Sequence, residues 1–319
     1  MDFLNKNILV LTDGSEGMIS QVIGLAQELE GNVKSIKTRL IFPWSNLQPG
    51  ILPIFSWIFK NKIKNIAKPD IIISCGRQSV YLSIFLKRKY KNIINIHIQN
   101  PKVNFLKFNY IIAPIHDKVE GENVINSIGA LHKFNENFFK EINEKNFDIP
   151  KKDLISVIIG GKNNHYKFSL KEANKLIAII KNIKKLNPNY NFLIIFSRRT
   201  SLDIKLAFIN NLNKIAIIYD ENKTNCYGYA LKYSNFFFVT SDSTSMISEC
   251  AFTKKPIYVF HLLFKRKSKR FIRFHNQFHK LNITKKLEME SDLITWDYQQ
   301  LNESKRIASI LKKRIIKEN

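Results

Sequence analysis

Short apolar runs alternate with amphipathic stretches along most of this 319-residue chain. Apolar runs of four to six residues predict buried strands, whereas apolar residues spaced one turn apart predict helices. Strands that alternate with helices form parallel βαβ units. The alternation therefore predicts an α/β fold built on parallel sheets.

The alternation falls into two consecutive series separated by a polar stretch at residues 134–152. Strands of the first series are predicted at residues 7–12, 70–74, 93–98 and 110–113. Strands of the second series are predicted at residues 154–159, 192–196, 215–219, 236–240 and 257–260. We expect two Rossmann-like domains, at residues 1–148 and 149–297, followed by a closing helical segment at residues 298–319.

The net charge is strongly positive, with 51 Lys+Arg against 26 Asp+Glu and a formal charge of +25. Such a balance favours anionic partners, although compositional bias towards Lys, Asn, Ile and Phe also produces it. The excess is +6 in residues 1–150 and +19 in the remainder, and residues 265–286 hold nine cations and no acid. We attribute the excess of the second half to an anionic partner and that of the first half to bias.

The three cysteines lie far apart in the sequence and form no metal-binding or disulfide pattern, which fits a reducing compartment. No apolar run reaches the ~18–20 residues of a membrane span, and no signal peptide is evident. We therefore expect a cytoplasmic protein. Residues 41–59, which include Trp44, Phe55 and Trp57, are either a buried loop or a patch that contacts the inner face of a membrane.

Ligands of open parallel sheets bind beyond the carboxyl ends of the strands. In the first half these ends carry a turn at Asp13–Gly17, a Gly76–Arg77 turn, Gln99, and His116. The Asp13 turn is either an anion site or a helix cap. Arg77 suits phosphate or carboxylate, and His116 is a candidate general base.

In the second half the strand ends carry three groups of small and polar residues. Gly160 and Gly161 allow close approach of a ligand, and Arg198 and Arg199 beside Thr200 form a candidate phosphate cradle. The run from Thr240 to Ser245, which includes Asp242 and Ser243, precedes a helix whose N-terminus would hold a phosphate, and Glu249 suits a sugar diol. An over-capped helix is the alternative.

His275 and His279 have the i, i+4 spacing of zinc ligands on a helix, but neither an HExxH motif nor a third ligand accompanies them. We therefore expect a surface helix and no metal site.

Several segments resemble the bacterial branch of the mitochondrial-fission (elongated-mitochondria) family, which is glycosyltransferase-like. The matching segments are LTDGSEGMISQVIGLAQEL, PDIIISCGRQS, IHIQNP, IIAPIHD, IGALH, VIIGG, FSRRT and VTSDSTSMISECAFTKKPIYVF. The resemblance implies a GT-B fold, with two Rossmann-like domains whose parallel sheets face a central cleft. It also implies that the second domain holds most of a nucleotide-sugar donor.

Carried onto this chain, the resemblance implies a donor site with Gly160, Gly161, Arg198, Ser243, Ser245, Met246 and Glu249. Their position at the same strand ends adds Arg199, Thr200 and Asp242 as candidate donor-binding residues. It implies that Asp13, Gly14 and Gly17 face the acceptor, and the strand-end positions of Arg77 and Gln99 add them to this acceptor side. Asp13 or His116 is the candidate general base. One departure is Lys254, which stands where the family pattern has a glycine.

The resulting expectation is a metal-independent glycosyltransferase that transfers a sugar to a cell-envelope acceptor, either lipopolysaccharide or lipid-linked. Positive groups would stabilise the leaving diphosphate, so neither metal nor cofactor is expected. Two alternatives remain. One is a nucleotide-sugar epimerase, and the other is a non-catalytic adaptor, because eukaryotic relatives are linked to recruitment of a fission dynamin. A nucleic-acid partner is not expected, because no basic-aromatic motif of a known module occurs.

Overall fold

The computed structural model describes residues 3–60, 63, 66–219 and 226–318. The chain forms two compact units. The first contains residues 1–133 together with 302–319, and the second contains residues 134–301.

The first unit is built on a six-stranded parallel sheet with the order β2-β1-β3-β4-β5-β6. Its strands are β1 (Asn7–Thr12), β2 (Asn32–Lys37), β3 (Ile71–Cys75), β4 (Ile94–Ile98), β5 (Tyr110–Pro114) and β6 (Val124–Ser127). Helix α1 (Glu16–Leu29) follows β1, and α2 (Arg77–Lys89) follows β3. The strand order reverses between β1 and β3, which places the expected ligand crevice there.

The second unit has a six-stranded parallel sheet with the order β12-β11-β10-β7-β8-β9. Its strands are β7 (Leu154–Ile159), β8 (Asn191–Phe196), β9 (Ala216–Ile218), β10 (Phe236–Thr240), β11 (Ile257–Phe260) and β12 (Thr284–Lys286). Its helices are α3 (Glu136–Lys140), α4 (Leu170–Leu186), α5 (Leu202–Leu212), α6 (Tyr227–Tyr233), α7 (Thr244–Ala251) and α8 (Lys269–Lys280). This is the strand order of Rossmann folds, and it reverses between β7 and β10.

The final helix, α9 (Glu303–Glu318), belongs to the first unit although it follows the second in sequence. Ile307, Leu311 and Ile315 pack into the core of the first unit, and the Ile128 amide donates to the Glu303 carboxylate at 2.7 Å. The sequence pattern predicted the helix, but not the unit on which it packs.

The units divide at residues 133 and 134, whereas the sequence placed the boundary at residues 148 and 149. The polar stretch between these positions contains aromatic side chains that pack within the second unit. Phe134 contacts Tyr227 at 5.7 Å between ring centroids, and Phe147 contacts Tyr229 at 5.0 Å. Isolated aromatic residues in a polar segment carry no periodic signal, so the sequence pattern did not reveal this attachment.

Within the described residues, no helix combines the length and the apolar character needed to cross a lipid bilayer.

Candidate functional site

The loops after β7 and β10 meet at the point where the second sheet reverses its strand order. The Gly160 amide donates to the Thr240 hydroxyl at 2.8 Å. The Gly161 amide donates to Oδ2 of Asp242 at 3.1 Å. These bonds join the two loops beside the crevice in which α/β sheets bind ligands.

Asp242 organises this junction from a buried position. Its Oδ1 accepts the Thr240 hydroxyl at 2.7 Å, and its Oδ2 is 2.7 Å from the Arg199 guanidinium. Arg199 also donates to the carbonyl of Gly161 at 3.2 Å. The carboxylate is thus balanced by a cation and by polar hydrogens from its own scaffold.

The two glycines of the β7 loop are required by these protein contacts. A Cβ atom at Gly160 would lie 2.2 Å from Oδ1 of Asp242, and one at Gly161 would lie 2.0 Å from the carbonyl oxygen of Arg199. Close approach was predicted for a pyrophosphate ligand. In the structure, the groups that lie close to Gly160 and Gly161 are Asp242 and the Arg199 backbone. That a pyrophosphate also lies close to these glycines stays a prediction.

Helix α7 begins directly at this junction. Ser243 is its N-cap and accepts the Met246 amide at 3.4 Å. Ser243, Thr244, Ser245 and Met246 are all half-buried, so the first turn is accessible to solvent. A helix N-terminus presents amide hydrogens and a partial positive charge, which together favour an anion.

The loop after β8 supplies one scaffold hydroxyl and one exposed cation. Thr200 is buried and donates to the Gly160 carbonyl at 2.6 Å. Arg198 is exposed, as is Lys162 in the β7 loop. The predicted cradle therefore divides into two parts: a hydrogen-bonded scaffold, in which buried Thr200 and Asp242 are joined by the partly exposed Arg199, and the exposed cations Arg198 and Lys162.

Glu249 lies in the second turn of α7 and is 6% exposed. Its Oε2 accepts the Tyr227 hydroxyl at 2.7 Å. Burial and the neighbouring Glu249 carboxylate raise the pKa of Tyr227 well above its ordinary value, so this hydroxyl remains a proton donor. Tyr227 was not identified from the sequence, since a single tyrosine at the start of a short helix carries no motif.

His275 is a second residue of this site that the sequence did not assign. Its Nε2 lies 2.9 Å from the Ser241 carbonyl. Burial lowers the pKa of His275 to about 3, so the ring is neutral and donates to that carbonyl. Its ring also contacts His261, at 4.9 Å between centroids. The prediction that His275 and His279 share a surface helix holds for the exposed His279, whereas His275 faces inwards.

In the first unit, Asp13 lies after β1 and caps helix α2 across the reversal of strand order. Its carboxylate accepts the amides of Gln78 at 3.1 Å and Ser79 at 3.0 Å. Burial raises the pKa of Asp13, while these hydrogen bonds and the Arg77 charge oppose that shift. The observed contacts of Asp13 are thus those of a helix cap, which is one of the two alternatives that the sequence left open for this turn.

His116 follows β5, which lies three strands from β1 in the first sheet. At ~4.8 Å per strand this separation is about 14 Å. His116 is also buried. The structure therefore does not bring the two predicted catalytic residues together.

The predicted acceptor-side residues occupy different environments within the first unit. Gly14 has a φ of 93° and adjoins the Lys37 side chain, and Gly17 lies within α1. Arg77 donates to the backbone carbonyls of Leu47 and Ser45. Gln99 is half-buried at the end of β4. Arg77 is thus engaged by a loop of its own unit.

Two Rossmann-like units in one chain define a protein of the GT-B fold class, which glycosyltransferases and nucleotide-sugar epimerases share. The chain belongs to the mitochondrial fission ELM1 family, whose profile matches residues 16–315. It is 29% identical to an uncharacterized Rickettsia prowazekii protein, RP120, over 96% of this chain and 98% of that protein. It is 22% identical to the mitochondrial fission protein ELM1 of Arabidopsis thaliana, over 77% of this chain and 64% of that protein.

Solved structures with the same fold include two nucleotide-sugar epimerases and a glycosyltransferase. The UDP-GlcNAc 2-epimerase of Methanocaldococcus jannaschii has a TM-score of 0.54 and 13% identity, over 96% of this chain and 99% of that one. The Neisseria meningitidis enzyme, solved bound to UDP-GlcNAc, has a TM-score of 0.53 and 12% identity, over 98% of this chain and 100% of that one. The glycosyltransferase of kitacinnamycin has a TM-score of 0.56 and 9% identity, over 97% of this chain and 99% of that one. At these identities the similarity shows the fold.

Proposed function

We propose that the second unit binds a nucleotide-sugar donor with its diphosphate at the N-terminus of α7. One observation carries the proposal: α7 begins beside the β7–β10 crevice with accessible hydroxyls on Ser243, Thr244 and Ser245. Amide hydrogens and hydroxyls at such a terminus bind phosphate oxygens. Arg198 and Lys162 supply exposed positive charge in neighbouring loops of this unit.

Asp242 is compatible with a bound diphosphate although it carries a negative charge. Its carboxylate is paired with Arg199 and accepts hydrogen bonds from Gly161 and Thr240. These partners offset the repulsion that an isolated carboxylate would exert. In this proposal Gly160, Gly161, Arg199, Thr200 and Asp242 shape the site, whereas Arg198, Ser243, Ser245 and Met246 contact the donor.

Glu249 is the proposed acceptor of hydrogen bonds from the ribose hydroxyls. It lies about one and a half turns beyond the phosphate position. Tyr227 donates to one of its oxygens and so fixes the carboxylate orientation. A ribose contact therefore depends on Tyr227 as well as on Glu249.

The proposed reaction is transfer of the sugar to a hydroxyl of a cell-envelope acceptor, a lipopolysaccharide or lipid-linked glycan. The bond between the anomeric carbon and the diphosphate breaks, and the diphosphate leaves with the bonding electrons. The α7 terminus and Arg198 would stabilise its added charge. Asp13 is the proposed base, because His116 is buried, and Gly14, Gly17, Arg77 and Gln99 are the proposed acceptor-side residues.

Epimerisation of the donor is the second candidate, because epimerases of the same fold match nearly the whole chain. The two reactions have different products. Inversion at C2 of UDP-GlcNAc breaks a carbon–hydrogen bond and so admits deuterium from heavy water, whereas transfer releases UDP only when an acceptor is present. A non-catalytic adaptor would do neither.

Binding of the nucleoside diphosphates ADP, CDP, GDP, dTDP and UDP, and of UDP-GlcNAc, measured by calorimetry on wild type and Arg198→Ala, tests the donor site. We expect Arg198→Ala to weaken UDP binding about tenfold or more, the effect of losing a charged hydrogen bond. Lys185→Ala removes an exposed cation at the far end of α4 and should leave binding unchanged. If wild type binds no nucleotide diphosphate, the donor site is refuted and the adaptor alternative gains support.

A further inference from the structure

Large apolar side chains are exposed on one loop of the first unit, between β2 and β3. Phe42 is 76% exposed, Ile51 62%, Trp57 58% and Phe55 45%. Single exposed apolar residues are common on soluble proteins, but a group of them on one surface indicates an interaction site. We call the four residues the aromatic ridge.

The aromatic ridge rests on buried support. The Trp57 ring stacks on Phe55 at 5.6 Å and meets the edge of Trp44 at 5.0 Å. Trp44 is buried and donates its indole hydrogen to the Pro53 carbonyl at 2.9 Å. The Phe55 and Trp57 rings are therefore held in place by contacts with each other and with buried Trp44.

A groove of about 390 Å³ includes Ile51 and Phe55 of the ridge and two cations in its lining. It is lined by residues 49–55, by the apolar side chains of Ile84 and Val103, and by the cations Arg88 and Lys107. Leu106, beside Lys107, is 87% exposed. The surface thus places exposed apolar groups directly beside positive charge.

The sequence around this surface is almost devoid of acids. Residues 31–116 contain 14 Lys+Arg and one acid, Asp70, whereas the other 12 acids of residues 1–150 lie outside that segment. The sequence alone led us to attribute the excess of the first half to compositional bias. Bias would act on residues 1–150 as a whole, however, and does not explain why the acids avoid this segment, so that attribution is revised for residues 31–116. The segment that carries the ridge and the groove is therefore selectively cationic, which matches an anionic surface.

We propose that the aromatic ridge docks this protein onto an anionic phospholipid bilayer. The exposed rings insert among the lipid headgroups and acyl chains, and Arg88 and Lys107 contact lipid phosphates. Aromatic side chains suit this boundary, since their faces are apolar and the Trp57 indole retains a polar N–H. The docking surface lies entirely within the first unit and does not depend on the proposed donor site.

Co-sedimentation with vesicles tests this docking, comparing phosphatidylcholine alone with phosphatidylcholine containing phosphatidylglycerol. Wild type should bind the anionic vesicles more tightly, and added salt should weaken that binding. Phe42→Ser/Trp57→Ser should lose at least tenfold in affinity. Arg88→Ala and Lys107→Ala should each lose about fivefold.

The matched control is Leu186→Ser/Leu202→Ser, which removes two comparably exposed apolar side chains from the second unit. It should bind vesicles as wild type does, and a thermal melt of each variant checks folding. Trp57→Phe keeps the apolar ring, so it should still bind but lose the blue shift of tryptophan fluorescence that wild type shows on vesicles.

Equal binding of wild type and the ridge double variant to anionic vesicles overturns the proposal. A second outcome also overturns it: wild type does not bind vesicles and elutes as a dimer in size-exclusion chromatography, whereas the double variant elutes as a monomer. The ridge would then be an interface between two copies of the protein. Nucleotide binding is measured separately, so failure here leaves the donor site unaffected.

Discussion

The Gly161 amide donates a 3.1 Å hydrogen bond to the Asp242 carboxylate across the reversal of strand order in the second sheet. Arg199 binds both partners, through the carboxylate of Asp242 and the carbonyl of Gly161. Residues that the sequence grouped as ligand contacts therefore also hold one another in place. Their substitution will affect folding as well as binding.

Asp242→Ala should lower the free energy of unfolding by about 3 kcal/mol. The change leaves the Gly161 amide and the Thr240 hydroxyl without their acceptor in a buried site, and removes the partner of Arg199. Arg199 is 40% exposed, so most of the cost arises from the buried donors. Urea unfolding measures the difference.

Asp297→Ala is the matched control, because Asp297 is an exposed aspartate of the same unit. It should change stability by less than about 0.5 kcal/mol. Comparable losses in both variants would contradict the scaffold role of Asp242.

Gly161→Ala should destabilise the second unit by several kcal/mol, because its Cβ would overlap the backbone of Arg199 at 2.0 Å. The Arg199 backbone cannot relieve this overlap by rotating about a side-chain bond, as the end of a flexible side chain could. Gly121→Ala in the first unit is the comparison, since the nearest atom there is 3.2 Å away. Equal melting temperatures for the two variants would show that the β7 loop shifts without cost.

The sequence predicted most accurately those parallel strands that consist of a continuous apolar run. The runs at 7–12, 154–159, 236–240 and 257–260 coincide with β1, β7, β10 and β11. The edge strand β2, with the sequence NVKSIK, was missed because it is largely exposed and its polar residues obscure the period. An exposed edge strand with a polar sequence, such as β2, lacks the apolar signal that buried strands carry.

The arrangement of the segments of the candidate site was predictable from the sequence, but the contacts among those segments were not. The rule that ligands bind beyond the carboxyl ends of parallel strands, applied to the sequence, selected the Gly160, Arg198 and Ser243 segments. The structure places all three at the same edge of the second sheet. The sequence could not show that Asp242 binds Arg199, nor that Tyr227 binds Glu249, because both contacts join elements distant in the chain. The same limit hid the engagement of Arg77 by Ser45 and Leu47.

His97 should make the first unit less stable at mildly acidic pH. Burial lowers its pKa to about 3 in the folded protein, where its Nδ1 lies 2.9 Å from the Ser74 hydroxyl. The unfolded chain takes up this proton near the ordinary pKa of about 6.5. Stability is therefore complete above that pH and falls as the pH decreases from about 6.5 towards 3.

Between pH 6.5 and 5 this group should remove about 2 kcal/mol from the free energy of unfolding. His97→Asn lacks the titrating ring, so the decrease over that interval should be smaller by the same amount. Urea unfolding of both proteins at several pH values measures this difference. Parallel pH profiles for wild type and variant would assign the acid sensitivity to other groups.

Arg77→Ala should loosen the loop that carries the aromatic ridge without unfolding the sheet. The Arg77 guanidinium donates to the carbonyls of Leu47 and Ser45, which tie the loop to the start of α2. Hydrogen–deuterium exchange should therefore become faster at residues 41–58 and stay unchanged in β1, β3 and β4. Lys89→Ala, at the other end of α2, is exposed and should leave the loop protected. Unchanged exchange at residues 41–58 in Arg77→Ala would mean that the buried Trp44 contact alone holds the loop.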